Sequence, residues 1–79
     1  MSRLPLYAFV QGDSMGVVVL GRPEATVAEL GEDMLRAVSV RVARRGPFRL
    51  TAGARALEPT ATLGTQGLEP LERVDLVWT

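Results

Sequence analysis

The side chains of this sequence that could do chemistry are nine arginines, nine carboxylates and a scatter of hydroxyls, because the 79 residues include no histidine, cysteine or lysine. That removes an imidazole base, a thiolate or Schiff-base nucleophile and a histidine metal ligand. The carboxylates are spread along the chain from Asp13 to Asp75. They show no close pairing of the kind a glycosidase or a carboxylate metal site requires. Catalysis by this chain alone is not expected, and neither is a metal or cofactor of its own.

The arginines are less evenly placed. From Met34 through Leu57 there is no acidic residue, yet Arg36, Arg41, Arg44, Arg45, Arg49 and Arg55 all fall there. One reading is solvated arginine in a chain that avoids lysine. The other is a docking patch for an acidic protein surface, which the bidentate guanidinium fork suits. Nucleic acid is not expected as a partner, since the net charge is zero and no aromatic residues alternate with the arginines as a stacking platform.

These residues need a scaffold, and its length bounds it to a single domain, residues 1–79, that buries roughly 60–65% of its unfolded-chain surface. The lack of cysteine fits a cytoplasmic protein. No apolar run approaches the roughly 18–20 residues of a membrane span, and the first residues carry no basic-then-apolar export signal.

The clearest element is a helix from Val27 to about Ser39. Thr26 and Glu29 form a capping box at its start. Val27, Leu30, Met34, Leu35 and Val38 share one side with Ala28, Gly31 and Ala37, while Glu29, Glu32, Asp33, Arg36 and Ser39 share the other. Glu32 and Arg36 are spaced i,i+4 as an ion pair. Gly31 costs the helix about 1 kcal/mol relative to alanine, so its place in the apolar stripe reads as room for a closely packed neighbour.

Around the helix the pattern is strand-like. Leu4 to Gln11 and Val17 to Leu20 form a hairpin across the turn residues Gly12-Asp13-Ser14-Met15-Gly16. Both faces of this hairpin carry apolar side chains, unlike a hairpin with one wet face. Either Tyr7 and Phe9 cap the core edge or a partner surface covers them. After Val38 the alternation of Val38, Val40 and Val42 fits a strand as well as a further helical turn, and the boundary stays open over 38–43. Phe48 to Ala52 is a third strand, Arg55 to Glu58 a short fourth, and Val74 to Trp78 a last and central one with Trp78 in the core. From Thr60 to Arg73 the pattern predicts a loop with one helical turn near Leu63, capped by Thr62 and followed by a left-handed Gly67.

This element order is that of the α+β β-grasp, or ubiquitin-like, fold: a mixed sheet of four to five strands wrapped on one helix, with its first and last strands parallel at the middle. Sulfur carriers and covalent modifiers of that fold use a flexible tail ending in Gly-Gly. Here the sequence ends Val77-Trp78-Thr79, so conjugation and sulfur transfer are not expected. A domain working through its surface is.

Several short runs resemble one family. Pro5-Leu6-Tyr7-Ala8-Phe9 followed by Gly12-Asp13, the valine-rich second strand, Ala28-Glu29, Val40-Arg41-Val42, and Gly67-Leu68-Glu69-Pro70 leading to Val74-Asp75-Leu76-Val77-Trp78 are similar, in matching order, to the small γ (B) subunit of bacterial multicomponent toluene and related aromatic or alkene monooxygenases. The resemblance implies a noncatalytic subunit of a soluble diiron hydroxylase. It would dock on the outside of a large α subunit that holds the iron pair, with a β subunit beside it. A free-standing ubiquitin-like adaptor of another bacterial complex, such as a secretion system, is the alternative. In either case Tyr7 and Phe9 are candidate hydrophobic anchors, and Arg44, Arg45 and Arg49 candidate polar contacts.

Overall fold

Thr26 starts the one α-helix among the described residues, as its sequence dictates. Its hydroxyl accepts the Glu29 N–H (3.1 Å) and the Glu29 carboxylate accepts the Thr26 N–H (2.8 Å). The Thr26 N–H foremost, and then the Thr26 hydroxyl, which donates to the same carboxylate (3.2 Å), hold the Glu29 carboxyl below its ordinary pKa. The helix, α1, runs Val27–Ala37 in this computed structural model, which describes residues 2–79. The sheet comprises β1 (Leu4–Val10), β2 (Val17–Gly21), β3 (Phe48–Ala52), β4 (Arg55–Ala56) and β5 (Arg73–Trp78), with a 3-10 turn at Leu63–Thr65.

The strand order is β2-β1-β5-β3-β4. β1 and β5 are parallel at the centre, with Ala8 beside Val74 and Val10 beside Leu76. The other pairs are antiparallel. Alternation along each strand sends Leu6, Ala8, Val10, Val19, Leu50, Ala52, Val74 and Leu76 to the helix side, where Val27, Leu30, Met34, Leu35 and Val38 meet them as one core. Each large side chain so buried stabilises the fold by about 1.5–3 kcal/mol. The β-grasp architecture expected from the sequence is the one observed.

Gly31 is a packing glycine, since a Cβ there would collide with the Phe48 ring. Trp78 lies partly buried against the core, stacks edge-on to Phe48 and donates its indole N–H to the Gln11 carbonyl (3.0 Å). Gly67 is left-handed, φ +68°. Thr62 precedes the 3-10 turn as expected, but its side chain makes no capping bond to the turn's backbone.

The boundary that the sequence leaves open over 38–43 is a turn, in which Val38 C=O accepts both Arg41 N–H (2.8 Å) and Val42 N–H (3.0 Å). That turn buries Val38 and Val42 and leaves Val40 89% exposed. Other expectations are corrected. Ala28 and Ala37 are exposed because each lies one step outside the stripe that meets the sheet, on opposite sides. Arg36 pairs with Asp33 at 3.1 Å, and Glu32 turns instead to Arg44, which approaches both its carboxylate oxygens at 2.8 and 2.9 Å.

The long crossover carries a function no local pattern announced. Val27 N–H donates to Ala61 C=O (2.9 Å) and Ala28 N–H to Pro59 C=O (3.0 Å). Together with the Thr26 cap, these satisfy the donors that a helix start otherwise leaves unpaired.

Candidate docking surfaces

On the side of the sheet away from α1, cross-strand register builds rows of side chains. Pro5 stands opposite Leu20 and Tyr7 opposite Val18. On the other flank of β1, Tyr7 stands beside Arg73 and Phe9 beside Asp75. Leu71, two residues before Arg73, donates its N–H to Pro5 C=O (2.7 Å). The rows therefore read Leu20, Pro5, Leu71 and then Val18, Tyr7, Arg73.

Arg73 does not cover Tyr7. Its guanidinium lies 3.9 Å from the Phe9 ring centroid and is bound to Asp75 at 3.0 Å, which raises its already high pKa. Phe9 is thus half-buried, roofed by Arg73 and packed on Tyr7 with ring centroids 4.7 Å apart. Both rings settle over Gly16, where a Cβ would stand 2.6 Å from each. Tyr7, Val18, Leu20 and Leu71 are left 43–60% exposed. They form one contiguous apolar patch with Pro5.

The five candidate residues do not make one site. Tyr7 and Phe9 lie together on this outer face, and alternation along β3 puts Arg49 on the same face, beyond β5 and opposite Val77. Arg44 is on the helix side, bound to Glu32 and 5.6 Å over the Phe48 ring. Arg45 reaches the hairpin turn, its terminal nitrogen beside Gly12. Val18, Leu20 and Leu71 were not candidates. The first two were signalled by the absence of polar alternation in β2. Leu71 carried no signal, since it sits in an irregular stretch and is the one non-glycine residue with positive φ (62°) among those described.

Asp13 is the other residue whose role the sequence hid. Its side chain is 3% exposed and accepts Arg41 Nε at 3.1 Å and Nη2 at 2.8 Å, with Met15 N–H at 3.3 Å. The Arg41 bond, above all, holds its carboxyl below the usual range. The pair fastens the hairpin turn to the segment leaving α1. Among the described residues no three carboxylates gather as metal ligands would, and no helix is long and apolar enough to cross a membrane.

No family model matches this sequence, and no curated protein matches it. Solved structures do. A chain of the toluene 4-monooxygenase HD complex with the inhibitor 4-bromobenzoate superposes with a TM-score of 0.89 at 24% identity, covering 99% of this chain and 100% of that one. Caldiarchaeum subterraneum ubiquitin superposes at 0.75 with 20% identity, over 99% and 95% of the two chains. The UBL domain of Plasmodium falciparum Dsk2 gives 0.77 with 18% identity, over 98% and 99%. The chain is ubiquitin-like in fold, and over its whole described length it is similar to a chain of a toluene monooxygenase complex.

Proposed function

We propose that this chain is a noncatalytic docking subunit of a soluble diiron monooxygenase acting on aromatic or alkene hydrocarbons, and that it binds the outside of the large catalytic α subunit. The observation that carries the reading is the uncovered apolar face of β1 and β2, comprising Pro5, Tyr7, Val18, Leu20 and Leu71. A monomer working alone gains nothing from such a face, and a permanent partner explains it. The patch would form the apolar core of a standard interface, roughly 800 Å² per partner, with a polar rim that includes Arg73 and Asp75. The structural similarity to a chain of a toluene monooxygenase complex supports the identity of the partner. The iron pair belongs to that partner.

The test is purification of the tagged chain from its native cells, with native mass spectrometry and iron analysis of what accompanies it. Recovery with a large iron-containing subunit is expected. Recovery as a lone monomer, or with iron-free partners, would replace this reading with the ubiquitin-like adaptor.

A further inference from the structure

A second surface lies on the helix side of the sheet, at the edge of β3. Thr79 N–H donates to Pro47 C=O (3.1 Å), and Arg49 and Thr51 stand opposite Val77 and Asp75. Hydrogen-bonded pairs alternate with non-bonded ones in an antiparallel ladder. Arg49 and Thr51 therefore turn their backbone groups to β5, while Phe48 and Leu50 turn theirs to the other edge. On that edge β4 pairs with Thr51 and Ala52, and Leu57 N–H takes the Leu50 carbonyl (2.9 Å). Phe48 N–H, Phe48 C=O and Leu50 N–H are left without a hydrogen-bond partner among the described residues.

The chain after Leu57 does not close this edge, because it swings across to α1, where Pro59 C=O meets the Ala28 N–H. Between the departing segment, the helix and β3 lies a groove of about 250 Å³ with an apolar floor of Val27, Ala28, Phe48, Leu50 and Pro59. Its charged rim is Glu32 and Arg44, with Arg49 at the open edge of β3 where the groove meets the outer face. Glu32 is engaged by Arg44, and Arg49 has no carboxylate partner among the described residues, so the rim is net positive.

We propose that this groove receives an extended, acidic and apolar segment of the partner, paired as an added strand along Phe48–Leu50. An apolar side chain of that segment enters between Phe48 and Ala28, and a carboxylate meets Arg49. Open edge donors and acceptors supply the pairing, the groove selects alternate side chains, and the cationic rim selects against basic segments. The inference rests on the reading above in taking the segment to belong to the large α subunit.

Hydrogen exchange of the free chain and of the native complex tests it, together with Ala28→Arg, which fills the groove, and Arg49→Glu, which reverses its free charge. The Phe48 and Leu50 amides are expected to exchange at least tenfold more slowly in the complex. Each variant is expected to weaken assembly at least tenfold while the free chain melts as the parent does. If the complex forms but these amides exchange as in the free chain and both variants assemble like the parent, the groove is idle and this inference falls, with the docking function intact. If no complex with the large subunit forms at all, both fall.

Discussion

Asp13 shows how a single residue of ordinary turn chemistry becomes structural. Its carboxylate is closed off from solvent by Arg41 and Met15, and its pKa lies below the unfolded value because the Arg41 bonds favour the charged form. Ionised Asp13 therefore contributes stability that is full above the unfolded pKa, about 3.9, and is lost as pH falls towards the depressed folded value. Asp13→Asn is expected to melt below the parent at pH 7, with the gap in Tm narrowing below about pH 4. Glu29, whose carboxyl its own cap lowers, is the same in both chains and cancels from the comparison. A gap independent of pH would show that the Arg41 pair is not its source. Leu71 sets the opposite case, a side chain exposed at a backbone conformation that disfavours it. The left-handed cost of about 1–2 kcal/mol is offset in Leu71→Gly by the roughly 0.5–1 kcal/mol of extra unfolded-chain freedom. The free chain should thus stay within about 1 kcal/mol of the parent in urea unfolding, while assembly weakens about tenfold if Leu71 is an interface anchor. Unchanged assembly would remove Leu71 from the docking face.

At the scale of elements, α1 is held at its start by two devices, and one of them was legible. Thr26 and Glu29 announced the capping box because that motif is local and its chemistry depends on spacing alone. The carbonyls of Pro59 and Ala61 that accept the next two N–H groups come from more than thirty residues away, in a crossover with no periodicity to read. Thr26→Ala is expected to cost about 1 kcal/mol of stability. Thr60→Ala, in the same strap but exposed and outside the cap, should stay within about 0.5 kcal/mol. Equal losses in the two would mean that the cap is not what fixes the helix start. The end of α1 stayed open for a related reason. Val38, Val40 and Val42 alternate like a strand, but the carbonyl of Val38 gathers two N–H groups into a turn that spaces the buried pair four residues apart and sends Val40 to solvent.

The whole molecule has a sheet with two unlike faces, one sealed by α1 and one that presents apolar rows to solvent. The fold was readable because its main elements are periodic: the hairpin, the amphipathic helix and the alternating last strand together leave few arrangements. The surface was readable in part. The unbroken apolar character of β1 and β2 pointed to Tyr7 and Phe9, whereas Arg73 roofing Phe9 and Leu71 joining Pro5 depend on parallel pairing between distant strands. The arginine-rich stretch divides between the two sides of the sheet, so its crowding in sequence did not translate into one patch. The measurement that tests docking through the outer face most directly is native mass spectrometry of material recovered through the tagged chain, comparing the parent with a Val18→Glu/Leu20→Glu variant. Both positions are solvent-exposed on an edge strand, so the variant is expected to keep the parent's circular dichroism spectrum. The account predicts that the parent brings down a large iron-containing subunit and the folded variant does not. Recovery of the same subunit in equal amount by both would contradict it.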